Sequence, residues 1–294
     1  MPLLVQYTVK QVDRSDFLLN TATAAAASFA PGMSIESKAE AVEAMAMESL
    51  DRRALEQLEA DVGVARPWVA TPELSLPQPA RTISGKPVAA CEPPKSRMMM
   101  GSDPRLPPMP DRPTLLDFFQ RRWHPASHLL QSANRALQDG QEEKVVLACL
   151  LHDVSICGLI RTDHGYWGAQ LIEPYVDEEV TWAVRAHQAL RFFPDPSVGY
   201  EYPELYVTLF GGNYTPSDYI LRAYEEARDH RYYMTARLIC LYDLYSFDPD
   251  ADIEIDRFVD IIGRNFRQPK EGLGFDNSPV AHIWRTMIWP NNVM

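Results

Sequence analysis

The chain has 294 residues, 46% of them hydrophobic and 10% aromatic, which is enough apolar material for one large domain or two small ones. A formal net charge of −12 argues against nucleic acid or an anionic membrane as the main partner, since both demand basic surface. No apolar run reaches the roughly 18 residues of a membrane-spanning helix, and the four cysteines show no CxxC spacing, so buried free thiols in a cytoplasmic setting are expected.

The first ten residues alternate in a strand-like way. Residues 17–30 (FLLNTATAAAASFA) are apolar and end in small side chains, but Asp13 and Asp16 stand where a secretory signal wants positive charge. A buried helix or an arm is the expectation there. Residues 34–62 read as a helix, opened by a Ser37–Glu40 capping box and stopped by Gly63. Pro67 to Pro113 then holds half of the chain's 24 prolines, and proline resists both helix and central strand. That tract is either an ordered wrap or a linker.

From Thr114 the texture changes. Thr114-Leu115-Leu116-Asp117 opens a helix, and further helices are expected over 126–137, 142–153, 165–175, 177–193, 216–228 and 231–246. Asp139-Gly140, Gly158, Pro174, Pro194 to Gly199 and Gly211-Gly212 punctuate them. The expected fold is all-α: a helical bundle over 114–294, preceded by a less regular, Pro-rich N-terminal extension over 1–113.

Six chemistry-bearing residues fall in this helical part: His128, the doublet His152-Asp153, His164, His187 and Asp243. His124 and His128 form an i,i+4 pair, which alone is a weak zinc signal. The doublet closes the apolar run Val145 to Leu151, where a buried carboxylate is costly unless something compensates its charge. On one continuous helix its two side chains would diverge by about 100°, so convergence requires the helix to end there or the metals to lie between two helices; the alternative is a helix C-terminus where Asp153 simply faces water. His187 and Asp243 also sit inside apolar helices. A metal centre between the helices of a bundle is the economical explanation, and six ligands exceed the need of one tetrahedral zinc. Imidazole with carboxylate suits iron, manganese or zinc. His230 and His282 fall outside the series and are expected to be structural.

The order His, His-Asp, His, His, Asp resembles the HD-domain superfamily in its dinuclear form. Segment 128–243 is most similar to the HD-domain mixed-valent diiron oxygenases that cleave organophosphonates, with myo-inositol oxygenase a more distant relative. The matching pieces are His128-Leu129-Leu130-Gln131-Ser132-Ala133, Leu150-Leu151-His152-Asp153, His164 followed by Gly168-Ala169, Val184-Arg185-Ala186-His187, Gly211-Gly212 and Asp243. The resemblance implies an HD-domain helical bundle holding two iron ions in the Fe(II)/Fe(III) state. His128, His152, Asp153 and Asp243 would ligate one iron, and Asp153 would bridge to a second held by His164 and His187, which puts Asp153 at the catalytic centre. It also implies use of O2 to remove hydrogen from a hydroxyl-bearing substrate carbon, with oxidative carbon–phosphorus or carbon–carbon cleavage following.

The sequence departs from that pattern in two places. The phosphonate-cleaving relatives carry a lysine one turn after the fourth histidine, and here that residue is Arg191; Val154-Ser155 replaces the commoner glycine and polar residue after the doublet. Arginine keeps the charge and can grip a phosphonate or carboxylate through two hydrogen bonds, so Arg191, and more weakly Arg161, are the candidate substrate-binding residues for a small anionic metabolite. The alternatives are a dinuclear phosphohydrolase using manganese, magnesium or zinc, and a non-catalytic metal-binding protein. The Gly-Tyr-Pro signature of the dinuclear phosphodiesterases does not occur.

Overall fold

The computed structural model describes residues 32–51, 107–123, 126–158, 160 and 162–288, with Thr21, Phe29 and a two-residue antiparallel ladder pairing Thr82–Ile83 with Lys86–Pro87. The expectations for residues 1–10, for most of 17–30, for 52–63 with the Gly63 stop, for most of 67–106 and for Arg161 and His124 fall outside the described residues. The architecture is all-α, and its elements follow one another as α1 (Ile35–Leu50), α2 (Leu115–Arg121), α3 (Ser127–Gln138), α4 (Glu143–Leu151), α5 (Val154–Gly158), α6 (His164–Ile172), α7 (Glu178–Leu190), α8 (Glu204–Phe210), α9 (Asp218–Ala227), α10 (Tyr233–Leu244), α11 (Val259–Asn265) and α12 (Ala281–Ile288).

Helix α4 is the axis of the bundle. Its residues Val145 to Leu151 are all buried, and α3, α7, α10 and α11 pack around it. An all-round apolar surface is what a central helix requires, and each fully buried Val or Leu stabilises the fold by about 1.5–3 kcal/mol. Around one end, Phe118 packs edge-on against Trp284 with ring centroids 4.7 Å apart, and Trp123 joins them. Arg122, buried beside this cluster, donates to the carbonyls of Met287 and Pro107. The stretch from Pro107 to Pro113 is therefore an ordered wrap: proline cannot donate, but its carbonyl can still accept.

Local chemistry accounts for the boundaries. Thr114 donates its amide and hydroxyl to Asp117, fixing the start of α2. Gly140 takes φ +71°, and the Gln141 amide returns to the Ala136 carbonyl, closing α3. Asp177 caps α7 by accepting from the Val180 amide. The expected capping box at Ser37 is not there. Ser34 is the cap, accepting from the Ser37 amide, and the helix ends at Leu50. The side chain of Glu40 is turned elsewhere, against the bundle.

Helix α1 lies on the helical domain. Ala44, Ala46 and Met47 join its core, while Asp51 accepts from the amide and hydroxyl of Ser127 at the start of α3. A residue from the N-terminal third thus caps the helix that carries His128.

Candidate metal centre

Five segments bring the predicted residues together. His128 comes from the first turn of α3, His164 is the first residue of α6, His187 lies in the last turn of α7 and Asp243 in α10. His152 and Asp153 occupy the break between α4 and α5. His152 keeps helical dihedrals (φ −60°, ψ −37°) at that break, and the two side chains still face one spot, Nε2 of His152 standing 3.4 Å from Asp153 Oδ2. All four histidines and Asp153 are completely buried, and Asp243 is 7% exposed.

Asp153 is the hub. Its Oδ2 lies 3.4 Å from His152 Nε2 and 3.7 Å from His128 Nε2, while its Oδ1 lies 3.4 Å from His164 Nε2 and 3.7 Å from His187 Nε2. Within each pair the Nε2 atoms are 3.2 Å apart. Asp243 Oδ1 closes the first group at 3.1 Å from His128 Nε2. Two groups result, His128–His152–Asp153 and Asp153–His164–His187, and each could hold a metal ion. Donors about 2.0–2.1 Å from one ion stand about 3.0–3.4 Å apart; most of the distances here fall in that range, and the Asp153 contacts to His128 and His187 are a little longer at 3.7 Å.

The donor chemistry fits a cation. Neither Asp153 oxygen has a hydrogen-bond partner, a costly state for a buried carboxylate unless positive charge sits beside it. Burial would raise the Asp153 carboxyl, yet the surrounding histidines hold it well below the usual carboxylate range. Burial pushes His152 and His164 down, toward the neutral imidazole that a metal ligand needs. For His128 burial acts the same way, but the hydrogen bond and charge of Asp243 outweigh it and push the imidazole up to about 9. A metal held by the first group would take the place of that proton on His128.

Backbone carbonyls orient three of the rings. The Nδ1 atoms of His128, His152 and His187 lie 2.9 Å from Ser246 O, 2.7 Å from Cys149 O and 2.6 Å from Val184 O. With the proton at Nδ1, the lone pair at Nε2 is free to face an ion. Phe247 stacks on the His128 ring at 4.2 Å. The α6–α7 contact that joins His164 to His187 depends on Gly165, where a Cβ would meet Gln188 Cβ at 2.9 Å and Val184 O at 3.0 Å.

Arg191 is buried at the end of α7, its Nη1 donating to Glu43 Oε2 at 2.5 Å. Its Nε and Nη2 have no partner. It lines a small pocket together with Glu43, Tyr206, Asp243 and Phe247, with room for about three water molecules. His230 stacks on Trp182 at 3.8 Å and His282 is exposed beside Arg285; both stand apart from the centre.

The sequence marks α1 as a helix but gives no sign that it reaches the site. Glu40 Oε1 lies 3.8 Å from His164 Nδ1, and Glu43 Oε2 lies 3.9 Å from His164 Nε2. Burial pushes Glu40 up to about 7, and burial likewise raises Glu43 despite Arg191. Glu36, Glu40 and Glu43 recur at helical spacing on one face. Among alanines such a stripe reads as a solvated face, and only the fold shows it turned inward. Comparison with known proteins returned no matching family model and no matching curated sequence.

Proposed function

We propose that the chain is a dinuclear metal enzyme of HD-domain type, a diiron oxygenase acting on a small anionic metabolite. One observation carries the reading: the orphaned carboxylate of Asp153 presents one oxygen to each of two buried histidine pairs. That is the arrangement a bridging ligand requires. His128, His152, Asp153 and Asp243 would hold one ion, and Asp153, His164 and His187 the other. When bound, a diiron pair supplies O2-dependent oxidation of a substrate carbon.

The residues of the chain supply the remaining functions. Arg191 has one edge of its guanidinium, Nε with Nη2, free of partners beside the pocket, and that edge matches a phosphonate or carboxylate. The pocket beside Arg191 has the size of a compact head group. Helix α1 and Phe247 pack against the centre and keep its ligands from bulk water. Metal analysis and EPR after anaerobic purification test the reading. Two irons per chain with a mixed-valent signal are expected. Magnesium, manganese or zinc with phosphatase activity would assign a dinuclear phosphohydrolase instead, and metal without turnover a non-catalytic role.

A further inference from the structure

Three of the four imidazoles have a partner at Nδ1 and one does not. His152 and His187 use the carbonyl three residues earlier in their own helices, Cys149 and Val184, and His128 reaches Ser246. His164 is the first residue of α6, with no helical turn before it to offer such a carbonyl. Its Nδ1 is buried and has no hydrogen-bond partner. Yet its Nε2 faces Asp153 and His187 as the other three rings face the centre.

A carboxylate stands close to that nitrogen. Glu40 Oε1 stands 3.8 Å from Nδ1, about 1 Å beyond a charge-assisted hydrogen bond. Glu40 is itself fixed on both sides of His164. It accepts from the Asp163 amide at 3.0 Å and from Gln188 Nε2 at 2.8 Å, and Gln188 Oε1 accepts from the Gly165 amide at 3.0 Å. Asp163 is held in a left-handed conformation, φ +52°, within this network. The chain thus spends three hydrogen bonds placing one carboxylate behind one histidine.

We infer that Glu40 is the positioning residue of the second metal site, accepting the Nδ1 proton of His164 so that its Nε2 lone pair is directed at the ion. The inference rests on the metal centre proposed above. A carboxylate acceptor makes the imidazole a stronger donor than a backbone carbonyl does. The two sites therefore differ: the first has carbonyl-backed histidines and an extra carboxylate, Asp243, while the second has one carboxylate-backed histidine.

The test uses full-length protein stripped with chelator and titrated with zinc against a chromophoric competitor. Wild-type protein is expected to hold two zinc ions. Glu40→Gln, which keeps the shape and removes the charge, is expected to bind the first as wild type does and the second at least about tenfold more weakly. Glu36→Gln loosens the same helix elsewhere and is expected to leave both affinities unchanged. Equal second-site affinity in Glu40→Gln would overturn the inference, and so would an equal loss in Glu36→Gln. Failure of wild-type protein to bind zinc would instead refute the metal centre itself. Should Glu40→Gln not fold, 15N NMR of histidine-labelled, zinc-loaded wild type decides: a hydrogen-bonded proton on His164 Nδ1 is expected, and its absence overturns the assignment.

Discussion

Glu43 Oε2 lies 2.5 Å from Arg191 Nη1 and 3.9 Å from His164 Nε2, so a carboxylate from α1 stands between the buried arginine and the second histidine pair. The N-terminal helix is thereby electrostatically part of the site. Burial disfavours the guanidinium's charge, but Glu43 more than offsets it and Arg191 stays ionised.

Removing Arg191 leaves Glu43 buried without its cation. Breaking a buried pair from one side costs about 3–5 kcal/mol, so Arg191→Ala is expected to lower the urea midpoint markedly, whereas Arg191→Lys keeps the charge and loses less. Neither change touches a ligand, so zinc stoichiometry should remain that of wild type, while KM for an anionic substrate rises. An unchanged unfolding midpoint in Arg191→Ala would show that the pair carries no such weight.

Asp153 serves both groups, one oxygen to each. Asp153→Ala is expected to abolish binding at both sites, and His187→Ala chiefly at the second. Elemental analysis distinguishes them as near-zero against about one ion per chain. Full occupancy of either site in Asp153→Ala protein would refute the bridging role.

The helical part was legible because its signals are local. The apolar run before His152, the Thr114–Asp117 pair and the Asp139-Gly140 stop each act within a turn or two, and the structure places helices at all of them. The six ligand-type residues were visible because imidazoles and carboxylates inside apolar helices are expensive without a common purpose. What was missed depends on long-range placement. Glu40 and Glu43 lie more than 100 residues from His164 in sequence, and nothing between them announces that α1 folds back. Helices α8, α11 and α12 were also unmarked, α8 and α11 being only seven residues long and α12 eight.

Gly165 sets the distance between α6 and α7. Gly165→Ala would press its Cβ onto Gln188 Cβ and the carbonyls of Val184 and Arg185, all within 3.1 Å. Such overpacking costs about 1–3 kcal/mol. The helices must part, and His164 moves from His187, so weaker binding at the second site should accompany the lower melting temperature. Gly212→Ala meets nothing nearer than 4.0 Å and serves as the neutral comparison. Equal behaviour of the two variants would show that the close approach is not limiting.

Glu36 anchors the start of α1, accepting from the Tyr214 hydroxyl at 2.8 Å and the Ser217 amide at 2.9 Å. Burial would raise its carboxyl, but those hydrogen bonds prevail and lower it to about 2. In the unfolded chain the group returns to its ordinary value near 4.5. Between these values the unfolded state binds more protons than the folded one, so stability rises with pH there. The contribution is complete above about 4.5 and is lost as pH falls through about 2. Glu36→Gln is therefore expected to cost about 1.5–3 kcal/mol at neutral pH, the worth of hydrogen bonds to a charged group, and to flatten the acid limb of the stability profile. Urea unfolding at pH 7, 4 and 3 reads both effects. A variant whose stability falls as steeply as wild type between pH 4 and 3 would show that Glu36 is not the group responsible.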